Sequence, residues 1–208
     1  MPNHIIIRDI LLPYEQEKIL EFVDSLKIEG NLTNPHLKAL LKKLNGFSCM
    51  FDLSRNETSN KIAKYQSGGL DVRTDAPDIL LGLANSICLT VGIPNKNCFL
   101  QIVDMDEGGM IGAHYDAAFS NLINYKCNVS VFSEPYEFVI EKEKIQVNEG
   151  DLYCFEASLY KHWTPNPFKS RRVLLSFGFM LEYEELGRSK SDPRIRLSER
   201  IQRHFQDK

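Results

Sequence analysis

Met110-Ile111-Gly112-Ala113-His114-Tyr115-Asp116 decides how the rest of the 208-residue chain is read. His114 and Asp116 stand two apart, so on a strand their side chains share a face. An imidazole nitrogen beside a carboxylate oxygen is half of a metal site. A second histidine would complete a 2-His-1-carboxylate facial triad, which holds Fe(II) on one side and leaves the other open.

Downstream, the chain offers His162, within Tyr160-Lys161-His162-Trp163-Thr164-Pro165 and 46 positions beyond Asp116. That interval is long enough for the strands that would bring the chain back beside the first pair. Ten positions on stands Arg172, which opens the run Arg172-Val173-Leu174-Leu175-Ser176-Phe177-Gly178-Phe179. Alternation puts Arg172, Leu174 and Ser176 on one face. A guanidinium directed into an apolar barrel is costly unless it meets an anion. Its fork, with a hydroxyl nearby, suits a carboxylate. Arg171 competes for this role; a register shifted by one would exchange the two.

Around these residues lie short runs rich in β-branched and aromatic side chains: Phe99–Val103, Asn128–Phe132, Tyr136–Ile140, Lys144–Val147, Asp151–Phe155 and Arg172–Met180. Turn signals separate them, including Asp106-Glu107-Gly108-Gly109 and Asn148-Glu149-Gly150-Asp151. Many short strands at close spacing predict a sandwich or jelly roll. Upstream, helical periodicity covers Glu15–Lys27, with further helices opening at Asn34-Pro35 and near Pro77-Asp78. Ile5-Ile6-Ile7 reads as a short strand and Ser48–Leu53 as another. Ser54–Asp75 reads as irregular, a surface loop shaping an entrance. Asp104, Asp106 and Glu107 read as a solvated turn, since their spacing fails the EF-hand pattern. The expectation is one α+β domain over 1–208: a helix-rich part (1–97), a β-rich core (98–182) and a basic tail (183–208).

Hydrophobic residues make up 43% and charged residues 25%, as in ordinary soluble domains. No run is long enough for a transmembrane helix and no signal-peptide pattern opens the chain, so a cytoplasmic protein with no membrane contact is expected. Five cysteines without a CxxC read as buried thiols in a reducing compartment. The net charge of -3 gives no global case for nucleic acid. From Arg188 to Lys208, however, seven Lys/Arg stand against three Asp/Glu, and that tail makes nucleic acid a candidate partner. Ser130 and Ser158 lack a neighbouring base, so a serine hydrolase has no support.

His114-Tyr115-Asp116, then His162, then Arg172 and Ser176, resemble the HxD…H…RxxxS signature of Fe(II)/2-oxoglutarate-dependent dioxygenases, nearest to the AlkB-like branch. The resemblance extends over Ile7–Leu11, Cys98–Asp116 and Gly150–Phe179, and is weakest between Gly30 and Asp75. It implies a double-stranded β-helix (jelly-roll) core with N-terminal helices packed on one side. It implies that His114, Asp116 and His162 bind Fe(2+), that Arg172 pairs with the distal carboxylate of 2-oxoglutarate, and that Ser176 assists. The implied reaction consumes O2 and 2-oxoglutarate, releases succinate and CO2, and oxidises a substrate C–H bond. Asp116 keeps the carboxylate that halogenating relatives lack, so hydroxylation or hydroxylation-driven dealkylation is implied.

Two departures bear on the substrate. Where AlkB-type repair enzymes carry Asn-x-Tyr before the HxD, this chain has Val103-Asp104-Met105. Where they carry a second arginine six residues beyond the first, it has Gly178. Gln101, Tyr153 and Tyr160 are candidates for replacement polar contacts, and Tyr115 and Trp163 for stacking on a planar substrate. The expected substrate is therefore a small molecule, an amino acid or a protein side chain. A nucleobase oxidation, a non-catalytic jelly-roll binding module and a zinc hydrolase are the alternatives.

Overall fold

The computed structural model describes residues 4–29, 46–67, 71–119, 121–189 and 191–195. In chain order, β1 (His4–Ile7) leads into α1 (Pro13–Glu29). Then come β2 (Gly46–Asp52), α2 (Glu57–Gln66), β3 (Val72–Arg73) and α3 (Asp78–Val91). The β-rich part holds β4 (Cys98–Met105), β5 (Leu122–Phe132), β6 (Tyr136–Ile140), β7 (Glu143–Val147), β8 (Leu152–Glu156), β9 (His162–Trp163) and β10 (Arg172–Glu182). A 3₁₀ turn, Tyr183–Leu186, follows. The expected helix after Asn34 lies outside the described residues, as does most of the basic tail.

Seven strands form one sheet in the order β1-β8-β5-β10-β4-β2-β3, and three form a second in the order β7-β6-β9. Every pairing is antiparallel except β2 with β3. β10 lies at the centre of the large sheet, between β5 and β4. Its period-2 pattern sorts two environments. Val173, Leu175, Phe177, Phe179 and Leu181 point to an outer apolar layer. There they meet α1 through Ile19, Val23 and Leu26 and α3 through Leu80, Ala84 and Ile87. These helix positions recur near the 3.6-residue period, which is why both helices lie flat on the sheet. Gly92 ends α3 at φ 73°, a left-handed cap that glycine accepts without a Cβ penalty.

The other face of the large sheet looks toward the small sheet. Phe138 and Ile140 of β6, Ile145 and Val147 of β7, and Tyr153 and Phe155 of β8 form the apolar layer between them. This is the α+β jelly-roll arrangement expected from the sequence.

Three expectations need correction. Ser54–Asp75 is not an irregular loop, because α2 occupies its middle. Asn56 caps this helix by accepting the Ser59 N–H at 2.8 Å, and Ser59 Oγ returns the bond to the Asn56 N–H. The helix is hard to read because its buried side is only Ser59, Ile62 and Ala63. It packs on Met50, Phe99 and Met180, at one end of the inner face, so the helices are not all on one side. Second, Asp104 is not part of a solvated turn. It is 1% exposed and pairs with Arg171 at 2.8 Å and Lys27 at 3.0 Å, joining β4 to the start of β10 and to α1. Third, His114 and Asp116 do not lie on a regular strand. Their segment is extended and makes one isolated bridge, His114 to His162, beside β9.

Candidate metal centre and anion pocket

Two passes of the chain, one around residues 111–116 and one around 157–164, lie side by side. His114 N–H donates to the His162 carbonyl at 3.1 Å, and His162 N–H returns the bond at 2.9 Å. Thr164 N–H donates to the Ile111 carbonyl at 3.1 Å, and Asp116 N–H to the Ala157 carbonyl at 3.0 Å. The bridge substitutes for the strand that the motif lacks, and it brings two histidines 48 positions apart side by side, their ring planes tilted by 55°. Their ring centroids are 4.3 Å apart.

The ligand atoms of His114, Asp116 and His162 all lie within 4.8 Å of one another. Asp116 Oδ1 is 3.2 Å from His114 Nε2 and 3.5 Å from His162 Nε2. Each histidine donates its Nδ1–H to a backbone carbonyl, His114 to Gly112 at 2.7 Å and His162 to Tyr160 at 3.0 Å. That fixes the tautomer and leaves both Nε2 lone pairs directed inward, as metal-ligating histidines require. The rings of Phe155 and Phe138 flank His162, at 4.8 and 5.9 Å. His114 lies toward solvent, so the centre is open on one side.

Lys126 completes the electrostatics. Its Nζ donates to Asp116 Oδ2 at 2.7 Å, and Asn124 Nδ2 donates to the same oxygen at 3.3 Å. Burial alone would push the Asp116 carboxyl up. The Lys126 ammonium, together with the two imidazoles when they are protonated in the absence of metal, outweighs it and holds the group well below the ordinary carboxylate range. The same carboxylate is the main cause of a raised His114 pKa. With Oδ2 occupied, Oδ1 is the oxygen open to a metal ion. Sequence reasoning missed Lys126, although a signal was present. Asn124, Lys126 and Asn128 recur with period 2 on a strand whose other positions are Ile123, Tyr125, Cys127 and Val129.

Arg172, not Arg171, turns inward. Arg172 pairs in register with Met105, Leu174 with Val103 and Ser176 with Gln101, all on the inner face. Arg172 is 1% exposed and lies over the rings of Tyr136 and Phe168, at 4.6 and 4.7 Å. One nitrogen, Nη2, donates to the phenol oxygens of Tyr136 at 2.8 Å and Tyr153 at 3.2 Å. Nε and Nη1 are buried without a partner, and no carboxylate among the described residues pairs with this guanidinium. Burial works against its charge, but the two facing phenols hold its pKa up. Arg171, by contrast, is neutralised by Asp104 and Asp24. A buried cation with two unpartnered donor nitrogens offers them to an anion.

A cavity of about 310 Å³ opens beside the triad, walled by His114, His162, Lys126, Asn128, Ser176 and Leu174 among others. Arg172 borders a second cavity of about 200 Å³ together with Tyr136 and Phe168, while its neighbours Leu174 and Ser176 face the triad side. Ser176 is buried there as expected. Gln101 also lines the larger cavity and donates to Ser48 Oγ at 3.0 Å. Tyr153 meets Arg172. Tyr160 does not reach the cavity, because its phenol is taken by Arg188 and Arg194. Tyr115 is exposed and Trp163 lies beside Val139, and neither lines the cavity. Val103 and Met105, standing where AlkB-type enzymes have Asn and Tyr, give that wall an apolar surface. A side chain at Gly178 would require the Phe99 ring to move, since a Cβ there would fall 2.1 Å from it. All five cysteines are free and buried. Among the described residues, no helix is long and apolar enough to cross a membrane.

No family model matches this chain, and no curated protein matches it. Its fold does recur in solved structures. It matches a prolyl 4-hydroxylase from Phytophthora capsici with a TM-score of 0.54 at 12% identity, over 88% of this chain but only 60% of that one. It matches a prolyl-4-hydroxylase from Pseudomonas putida with a TM-score of 0.52 at 12% identity, over 86% and 93% of the two chains. It matches HygX from Streptomyces hygroscopicus, solved with nickel and 2-oxoglutarate bound, with a TM-score of 0.54 at 10% identity, over 86% and 82%. At such identities the likeness is one of fold.

Proposed function

We propose that this protein is an Fe(II)- and 2-oxoglutarate-dependent dioxygenase that hydroxylates an uncharged group on a small molecule, an amino acid or a protein side chain. The observation that carries the reading is Arg172, a buried guanidinium with two unpartnered donors on the same inner face as the HxD…H cluster. A zinc hydrolase built on the same ligands would leave that cation without an anion to meet.

His114, Asp116 and His162 hold the metal, and Lys126 and Asn124 restrain Asp116 so that one carboxylate oxygen faces it. Arg172 takes the distal carboxylate of 2-oxoglutarate, between the Tyr136 and Tyr153 phenols, and Ser176 adds a hydroxyl. The bound metal, with 2-oxoglutarate and O2, supplies the oxidising power for a C–H bond. The apolar wall of Val103, Met105, Ile111 and Leu174 limits water near the reacting group and favours an uncharged substrate portion. The free cysteines fit the reducing cytoplasm.

An AlkB-like enzyme acting on nucleobases is the second reading. It rests on the order of the motif residues and on the positive charge after Arg188. Val103, Met105 and Gly178 stand against it.

Under anaerobic conditions, Fe(II) and 2-oxoglutarate added to the protein should produce a visible metal-to-ligand charge-transfer band. In air the mixture should form succinate slowly even without substrate. A protein that binds neither component removes the reading, and one that binds both without ever forming succinate is a binding module instead. Salt-dependent binding to single-stranded DNA or RNA separates the two substrate readings, because a nucleobase enzyme must show a clear salt slope.

A further inference from the structure

One short segment, residues 156–162, orients two of the three proposed metal ligands. The Ala157 carbonyl accepts the Asp116 N–H, and the Tyr160 carbonyl accepts the His162 Nδ1–H, each at 3.0 Å. The segment is tied to β5 on one side. Ala157 N–H donates to the Asn124 carbonyl at 2.8 Å, and Asn124 N–H to Ser158 Oγ at 3.1 Å. A displacement of this segment therefore moves both ligands at once.

On its other side the segment is held by the chain that follows β10. Arg188 makes a bidentate pair with Glu156, Nε to Oε1 at 3.0 Å and Nη2 to Oε2 at 2.7 Å. The same Nη2 donates to the Tyr160 phenol oxygen at 2.8 Å. Arg194 donates to that oxygen too, and its guanidinium lies 4.6 Å over the Tyr160 ring. Tyr160 is 1% exposed, its ring held between Arg194 and the inner core and its hydroxyl held by both guanidiniums. Charge-assisted forks of this kind are among the stronger side-chain contacts, and the stacked guanidinium adds to them. Ile195, next in sequence, is buried in the layer between the sheets.

We propose that Arg188 and Arg194 form a latch that positions His162 and Asp116 for metal, acting through Tyr160 and Glu156. The latch rests on the metal site proposed above. Its residues touch neither metal nor substrate; they are positioning residues. Because coupling between two sites is reciprocal, metal binding tightens the latch as much as the latch tightens metal binding. Two of the seven cations between Arg188 and Lys208 are thereby engaged within the fold.

The test titrates the full-length metal-free protein with Ni(2+) by calorimetry, in wild type, Arg188→Ala, Arg188→Lys and Tyr160→Phe. Amide hydrogen exchange of residues 156–162 is followed in the same samples without metal. Tyr160→Phe keeps the ring and its packing, so it reports even if Arg188→Ala folds poorly. Arg188→Ala is expected to weaken Ni(2+) binding by roughly tenfold or more, the usual cost of losing an outer support of a metal ligand. Arg188→Lys should recover only part of the loss, since an ammonium cannot span Glu156 and Tyr160 together. Tyr160→Phe should weaken binding severalfold and speed exchange in 156–162. A purely structural role would lower the melting temperature equally with and without Ni(2+). Affinities indistinguishable from wild type in all three variants would overturn the latch alone. A wild type that binds no Ni(2+) would overturn the metal site and the latch with it.

Discussion

On β10 the outward positions are Val173, Leu175, Phe177, Phe179 and Leu181, and the inward ones are Arg172, Leu174, Ser176, Gly178 and Met180. The same contrast runs through β5, where Cys127 and Val129 face the helices, Asn124 reaches Asp116, and Lys126 and Asn128 line the cavity. The outward face buries apolar area and stabilises the fold. The inward face carries polar groups whose desolvation is unfavourable and which are tolerated because they hold one another or await a ligand. Arg171 and Arg172 show the difference at adjacent positions. Arg171 meets two acids and is structural; Arg172 meets two phenols and keeps two donors free.

The sharpest way to break this comparison is Asp116→Ala, which should abolish Ni(2+) or Fe(II) binding in a calorimetric titration. Tight metal binding in that variant would mean that the inner face is not the metal centre. Phe177→Ala, on the opposite face, should cost about 3–5 kcal/mol in urea unfolding through a core cavity, with metal affinity in the folded protein unchanged. If metal affinity fell as steeply as stability, the two faces would not be separable.

Arg172→Ala should weaken 2-oxoglutarate by about 2–5 kcal/mol, measured by equilibrium titration with the metal present. It should leave the stability of the protein without 2-oxoglutarate nearly unchanged, since an uncompensated buried cation is removed. Arg171→Ala should do the reverse, costing about 1–3 kcal/mol of stability by removing charge-assisted bonds to buried Asp104, with little effect on 2-oxoglutarate. Equal behaviour of the two arginines would defeat the assignment. Gly178→Ala sharpens the boundary between the faces. Its methyl would meet the Phe99 ring, and a loss of about 1–3 kcal/mol from overpacking is expected in thermal or urea unfolding.

Much of this was legible in the order of residues. The period-2 runs located most strands of the core to within two positions, but β5 begins six residues before the expected Asn128 and the two-residue β3 and β9 were not expected. The histidines and Asp116 were identifiable by type and spacing, with Arg172 and Arg171 left as alternatives. What escaped had weak local signals. α2 buries only small or isolated side chains, so its periodicity is faint beside its polar surface. Asp104 looked like one of three turn acids, because its partners Arg171 and Lys27 lie 67 and 77 positions away in sequence. Tyr160 looked like a candidate wall of the pocket until Arg188 and Arg194 were seen to claim its phenol.

The sequence by itself determined the alternation that gives each strand a buried apolar side, the helix boundaries at Gly92 and near Pro13, and the supply of ligand-bearing residues. These follow from local periodicity and side-chain chemistry, which need no knowledge of neighbours. Only the tertiary structure decided which arginine faces inward, that Lys126 closes the charge around Asp116, and that a single bridge joins His114 to His162. Those outcomes depend on the register between β10 and its neighbours and on contacts between residues far apart in the chain. The energy of a charge depends on which group the fold places beside it.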